Sequence, residues 1–318
     1  MVRLAPGDSL IRIRMSRLPR LVLFRLLPAF ILLVLLVLLV LTFVWHWNDR
    51  ALLWWQESRT PPAVRAQSVW LPDYRAVIQG KQLPGLAEAE TSDLTYDPRT
   101  RTLFAVTGTT PYLVQLSLTG DVLRRIPIQH ASNLEGVTAL EDGRLAIVDE
   151  RQRRLSLFTL ADDTRELDAN TFEHHDLGFP DAGNKGFEGI AWDPRHQRLI
   201  LSKERDPAAL FTLASDGRGV SGTLEPFPIK QQVIDYSAVA VDPRTGHLLA
   251  LSDQSHTLME YTAEGQPVSF MSLRRGLHGL DATLEQPEGV ALDDAGTLYV
   301  IGEPNIFHVF RKVSAPAQ

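Results

Sequence analysis

One hairpin motif recurs along this chain and limits what it can fold into. "TSDLTYDPRTRTLFAVT" starts at Thr91, "LEGVTALEDGRLAIVDE" at Leu134, "FEGIAWDPRHQRLILSKE" at Phe187, "YSAVAVDPRTGHLLALSD" at Tyr236 and "PEGVALDDAGTLYVIGE" at Pro287. Their second residues, Ser92, Glu135, Glu188, Ser237 and Glu288, are spaced 43, 53, 49 and 51 apart. That period belongs to propeller blades and exceeds the leucine-rich and ankyrin units. Each copy has a short alternating or wholly apolar run, a turn such as D-P-R-T or D-D-A-G, and a second β-rich run such as "TLFAV" or "LLALS", so each is a hairpin.

Further runs complete the unit. "YLVQLSL", "RLSLFTL", "ALFTLA", "TLMEYT" and "IFHVF" read as third strands, and "DVLRRIPI" and "PVSFMSL" as fourth strands after a Gly-containing turn. Four antiparallel strands make a blade whose faces are buried against its neighbours. The last copy ends after three strands, and "SVWLPDYRAVI", residues 68–78, is the segment without another partner. Its addition to the last copy closes the ring and removes the terminal edge. The expected fold is therefore all-β, a five-bladed propeller.

The N-terminal part is different. Residues 26–45, "LLPAFILLVLLVLLVLTFVW", carry no charge, and twenty helical residues span the ~30 Å hydrocarbon core. Arg3, Arg12, Arg14, Arg17, Arg20 and Arg25 precede the run with only Asp8 opposing them, which keeps the N-terminus in the cytoplasm. The apolar run is longer than a signal-peptide core, and no A-x-A site closely follows it. Trp45, Trp47, Trp54 and Trp55 have the composition of an interfacial belt. The expected organisation is a basic N-terminus over 1–25, a transmembrane anchor over 26–47, a linker over 48–67, the propeller over 68–312 and a tail over 313–318. Within the linker, "ESRTPPAVRAQS" has two prolines and no apolar period and reads as a tether.

Charge separates the two parts further. Residues 1–60 hold 8 Lys+Arg against 3 Asp+Glu, leaving 24 against 35 for the rest. An acidic main domain is a poor nucleic-acid partner. The absence of cysteine excludes disulfides, thiolate catalysis and Cys-ligated zinc.

Two acidic columns are candidates for chemistry. Glu135, Glu188 and Glu288, with Asp93 beside Ser92, begin the first strands and converge at one mouth of a propeller channel. Asp149 with Glu150, Glu204, Asp253 and Glu303 close the second strands. Carboxylates that close raise one another's pKa unless a cation or a basic partner neutralises them, and Ca²⁺, a hard ion liganded by oxygen, suits the set better than zinc. The alternative is structural: the E-G and S-G pairs cap strand starts, with glycine for close approach or positive φ, and Arg151, Lys203 and Arg205 pair with the acids. His174 and His175 read as part of a surface loop, "GNKG" lacks the context of a phosphate loop, no G-x-S-x-G elbow is present, and the D-P-R-T turns serve turn geometry.

The runs "SDLTYDPRTRTLFAVT", "GNKGFEGIAWDP", "VDERQRRLSLFTL", "GDVLRRIPI" and "QPEGVALDDAGTLYVIGEPNIFHVFRK" resemble the SdiA-regulated, YjiK-type bacterial proteins, which are distantly similar to NHL-repeat propellers. The resemblance covers roughly residues 68–312 and includes the N-terminal anchor. It implies a five-bladed propeller facing the periplasm from the inner membrane, with a bound calcium ion, and it implies no activity. "YSAVAVDP" departs from the pattern, Ala238 and Ala240 standing in place of the expected S-G-L beginning. Two function classes follow: a membrane-tethered module binding a small-molecule or protein ligand, and a calcium-dependent hydrolase of the lactonase or phosphotriesterase kind. The amides available to the second are Asn133, Asn170, Asn184 and Asn305.

Overall fold

The computed structural model describes residues 20–44, 47–86, 88–178, 186–205 and 207–313, with residues 20–26, 43–44 and 47–49 described by backbone alone. Among the described residues three α-helices come first: α1 (Arg20–Val44), α2 (Trp47–Glu57) and α3 (Pro62–Ala66). The side chains of α1 from Leu27 to Val40 are exposed wherever they are large and apolar. Among the described residues no helix is long and apolar enough to cross a membrane.

After β1 (Tyr74–Gln82) come five strand groups. The first is β2 (Thr91–Asp97), β3 (Thr102–Thr107), β4 (Tyr112–Leu116) and β5 (Val122–Gln129). The second is β6 (Leu134–Ala139), β7 (Arg144–Asp149), β8 (Arg154–Thr159), β9 (Leu167–Asp168) and β10 (Glu173–Asp176). The third is β11 (Phe187–Asp193), β12 (Arg198–Lys203), β13 (Ala209–Ser215) and β14 (Val220–Pro226). The fourth is β15 (Ala238–Val241), β16 (Leu248–Ser252), β17 (Thr257–Tyr261) and β18 (Pro267–Ser272). The fifth is β19 (Pro287–Leu292), β20 (Leu298–Gly302) and β21 (Ile306–Lys312).

The sheets are β2-β3-β4-β5-β9, β6-β7-β8-β10, β11-β12-β13-β14, β15-β16-β17-β18 and β19-β20-β21-β1. These are the five blades. The inner strands β2, β6, β11, β15 and β19 contact one another around a ring. Strand β1 completes blade 5 antiparallel to β21, from Tyr74 against Lys312 to Gln82 against Ile306, so the expected closure holds, with the strand starting at Tyr74. The DPRT acids also do what turn acids do: Asp97 accepts from Arg99 N and Thr100 Oγ1 at 2.9 and 2.8 Å.

One core fills each junction between blades. In β12, Leu199 and Leu201 pack towards blade 2 while Ile200 packs towards blade 4. In β7, Leu145 and Ile147 face blade 1, and Ala146 and Val148 face blade 3. Side chains alternate between faces along a strand, and both faces here are buried, so these strands read as continuous apolar runs.

Two expectations are corrected. His174 and His175 are not in a loop; they lie on β10, the fourth strand of blade 2, paired with Ser156 and Leu155 of β8. The preceding β9 crosses to blade 1 and pairs parallel with the end of β5. The expected tether is folded as well. In α2, Leu53 enters the core of blades 3 and 4, and Glu57 accepts the Phe270 N–H at 2.8 Å. The fully buried Glu260 carboxylate then takes the N–H groups of Val69 and Trp70 at 2.7 and 2.9 Å and contacts His247 Nδ1 at 2.6 Å. These bonds satisfy backbone donors that a buried linker would otherwise leave unpaired.

Candidate functional site at the acidic channel mouth

An irregularity starts four of the inner strands. In β2 the pairing passes from Thr91 opposite Thr107 to Asp93 opposite Val106, leaving Ser92 over. Glu135, Glu188 and Glu288 are left over in the same way, between Leu134 and Gly136, Phe187 and Gly189, and Pro287 and Gly289. Each is the extra residue of a β-bulge, which bends the strand and re-aims a side chain.

The next residue explains the E-G pairs. A Cβ on Gly136 would stand 2.9 Å from the Glu188 carbonyl oxygen, one on Gly189 would stand 2.8 Å from Ala238 Cα and Val239 N, and one on Gly289 would stand 2.8 Å from Leu94 N. None of the three has a positive φ. Glycine is needed there because adjacent inner strands approach backbone to backbone. Blade 1 has Asp93 at this position. Its fully buried carboxylate accepts from its own neighbour Leu94 at 2.8 Å, from Val137 of blade 2 at 2.9 Å, and from Ile190 of blade 3. One side chain thus ties three inner strands, and burial pushes its pKa well above the usual range.

A second bond sets the other acidic column at the same level. The N–H groups of Gly108, Glu150, Glu204 and Glu303 donate to the carbonyls of Glu90, Asn133, Gly186 and Gln286 at 3.0, 2.9, 3.2 and 3.0 Å. Glu150 therefore stands in the column where Asp149 was expected beside it. Asp149 instead accepts from Ser132 N, Ser132 Oγ and Gln152 N at 2.7, 2.8 and 2.9 Å and stabilises a turn. Sequence reasoning also missed Asp235, which accepts from Ser252 Oγ and Gln254 N. It precedes Ser237 by the same interval at which Asn133 precedes Glu135, and that register was the available signal.

The mouth concentrates negative charge. Burial, then the charges of Glu204, Glu288, Glu135 and Glu150, push Glu188 well above the ordinary carboxyl range. Burial, then Asp253, Glu303, Glu135 and Asp235, push Glu288 up to about 9. Glu135 rises to about 7 through burial, with Glu150 and Glu303 adding to the rise and hydrogen bonds from Ser92 and Asn133 opposing it. Burial is also the leading cause of the raised values of Glu204, Asp253 and Glu303. Arg205 pairs with Glu204, whereas Lys203 turns to the carbonyls of Arg205 and Pro207.

Neutral oxygen donors are fewer. Asn133 bridges Glu135 and Glu150 through Nδ2 at 2.6 and 3.1 Å, and its Oδ1 lies with Ser92 Oγ and Glu135 Oε1 around Gly108. Asn305 is used structurally, accepting Thr91 N and donating to the carbonyls of Leu86 and Ala89. Asn170 lies in the turn before β10, and Asn184, like most of "GNKG", is outside the described residues. Among the described residues no three acidic or histidine side chains stand close enough to hold one metal ion. The donor chemistry, all oxygen, fits a hard cation; the spacing does not make a closed coordination sphere.

The opposite end of the channel is a cavity of about 200 Å³ lined from all five inner strands. Leu94, Ile190, Val239 and Val290 form its walls. At its rim, Tyr96 Oη donates to Asp294 Oδ2 at 3.2 Å and Trp192 Nε1 to Glu141 Oε1 at 3.3 Å.

Among solved structures, this chain is similar to a gluconolactonase from Xanthomonas campestris, with 14% identity, a TM-score of 0.49, and coverage of 80% of this chain and 94% of that one. It is similar as well to virginiamycin B lyase from Staphylococcus aureus, with 10% identity, a TM-score of 0.42, and coverage of 76% and 75%. The strand order, and not these likenesses, establishes the propeller. A family model described as SdiA-regulated matches residues 66–311, nearly the whole of the propeller together with the segment that Glu260 holds. The chain belongs to the SdiA-regulated family.

Proposed function

We propose that this chain is a propeller exported across the bacterial inner membrane and anchored there by α1, and that its acidic mouth binds a divalent cation of the Ca²⁺ kind and through it a small-molecule or protein ligand. The observation that carries the reading is the set of bulge-borne glutamates from three blades, whose raised pKa values reflect burial and mutual repulsion. Like charges gathered this way cost stability unless a cation offsets them. Glu135, Glu188, Glu288, Glu204, Asp253 and Glu303 are the residues to hold the ion, joined by Glu150 and Asn133, while Asp149 is committed to its turn. A bound cation would neutralise the mouth and offer open positions to a ligand carbonyl, carboxylate or hydroxyl.

Calorimetry with chelator and with millimolar Ca²⁺ tests the site. A cation bound only to the folded chain adds roughly 2.7 kcal/mol at a hundredfold excess over Kd. Glu188→Gln is expected to shrink this rise while leaving the metal-free chain no less stable. A loss of stability in Glu188→Gln that is equal with and without Ca²⁺ would make the glutamate a structural acceptor and overturn the reading. The anchor is tested by a reporter active only outside the cytoplasm, expected to work when fused after Gln318; activity at the N-terminus alone reverses the orientation.

A hydrolytic reading uses the same mouth. Its support is Glu135, whose pKa of about 7 suits a general base at neutral pH. Lactone turnover abolished by Glu135→Gln would establish it, and absence of turnover with Ca²⁺ present would remove it.

A further inference from the structure

Two acid–aromatic pairs stand at the apolar end of the channel, each joining neighbouring blades. Tyr96 of blade 1 donates to Asp294 of blade 5, and Trp192 of blade 3 donates to Glu141 of blade 2. Each bond fixes a half-buried ring at the rim of the cavity, and it leaves most of the carboxylate open, since an ionised carboxylate has about four acceptor sites. Gly217 makes room for the second pair: a Cβ there would stand 3.0 Å from the Trp192 ring and closer still to Glu141. Below the rim the walls are dry, Leu94, Ile190, Val239 and Val290 being 2% exposed or less. Among the described residues no lysine, arginine or histidine lines the cavity. The charges of Arg101 and Arg218 reach the rim from outside the lining, and Arg218 is itself paired with Asp142.

We infer that this end of the channel binds a small organic cation, a primary ammonium carried on a short hydrocarbon body. The Glu141 and Asp294 carboxylates accept ammonium N–H groups in charge-assisted bonds, the Tyr96 and Trp192 rings favour a cation placed over them, and the walls take the hydrocarbon out of water. An anion of the same size meets two carboxylates of its own sign and no cation in the lining. Volume sets the body: about 200 Å³ lies below the roughly 300–1,000 Å³ of drug-sized pockets, so a chain of about six carbons is taken in preference to a fatty chain or a peptide. The inference does not depend on the divalent-cation site at the acidic mouth, with which it shares no residue.

The test uses the full chain in neutral detergent, with titrations into detergent alone subtracted, and reads the heat of binding and the tryptophan fluorescence. Hexylammonium is expected to bind and to change the fluorescence, hexanol to bind about tenfold more weakly and hexanoate not at all. Glu141→Gln and Asp294→Asn, at exposed positions, are each expected to weaken hexylammonium about threefold. Asp121→Asn, an exposed acid of blade 1 outside the lining, is expected to leave the affinity unchanged, and Trp192→Phe to remove the fluorescence change. Hexanol binding as tightly as hexylammonium, or equal losses in Asp121→Asn and Glu141→Gln, would overturn the cation site. Methylammonium binding as tightly as hexylammonium would remove the hydrocarbon from the ligand and overturn the use of the walls. A fluorescence change that persists in full in Trp192→Phe would place the amine elsewhere. Displacement by Ca²⁺ but not by K⁺ at equal ionic strength would place it at the acidic mouth, and either result overturns the inference.

Discussion

The two ends of the central channel are built by the same five strands and differ in almost every physical respect. At the start of the inner strands, bulges turn Glu135, Glu188 and Glu288 inward, and carboxylates raise one another's pKa. At the other end the ladders run regularly to the hairpin turns, and the cavity is walled by Leu94, Ile190, Val239 and Val290. One extra residue in each of four inner strands separates a charged mouth from an apolar one. The chemistry of this channel follows from ladder irregularity as much as from composition.

Thickening each end is expected to separate the two most. A Cβ on Gly189 meets backbone atoms of blade 4 at 2.8 Å, so Gly189→Val is expected to destabilise by about 3 kcal/mol. Ala240→Val, at the roomier apolar end, is expected to cost about 1 kcal/mol or less. Denaturant midpoints measure both, and equal losses would mean that the acidic end is not the tighter one.

A somewhat smaller effect separates the ends by pH. Glu288 is raised from 4.5 to about 9 in the folded chain, so folding binds a proton over that window. The associated stability is fully present below about pH 4.5 and is lost as pH rises to about 9. In chelator, Glu288→Gln is expected to remove roughly 2 kcal/mol of this fall, since its neighbours absorb part of the relief. A variant whose melting temperature falls with pH as steeply as the parent's contradicts the repulsion.

The smallest effect belongs to the apolar rim. Tyr96→Phe loses one half-exposed bond to Asp294, with an expected cost below about 1 kcal/mol. Burial and the Asp294 charge raise the Tyr96 hydroxyl to about 12, so the substitution leaves the stability profile between pH 5 and 9 unchanged in shape. A changed slope there would couple the two mouths.

Much of this architecture is legible in the residues. The hairpin repeats, with their D-P-R-T turns, mark the blades, and "SVWLPDYRAVI" is recognisable as the closing strand because the last copy lacks one. Both acidic columns stand out as repeated positions. What escapes is decided by small margins. Asp149 and Glu150 are adjacent acids at a strand end, and only the bond from Glu150 N to the Asn133 carbonyl shows which belongs to the mouth. The segment "EHHD" has no apolar residue, so its place on β8 comes from backbone pairing and from polar contacts, Ser156 Oγ with His174 Nδ1 at 2.9 Å and Arg144 with Glu173 at 2.8 Å. In α2 only Leu53 and Glu57 are fully buried among the described side chains, too weak a pattern to distinguish a docked helix from a tether.

By itself, the sequence determined the all-β repeat, the number of blades, the closing strand and the accumulation of acids at one set of strand starts. These follow from local turn chemistry and from side-chain alternation, which each segment carries without reference to the others. Tertiary structure decided the rest: the bulges that aim the glutamates, the inter-blade approach that requires Gly136, Gly189 and Gly289, the Asp93 carboxylate shared by three blades, and the docking of α2 on blade 4. The physical reason is the same kind in each case: the bulges depend on ladder pairing within a hairpin, the others on backbone groups of distant segments brought together by folding, and a backbone N–H or a missing Cβ has no signature in sequence until its neighbour is known.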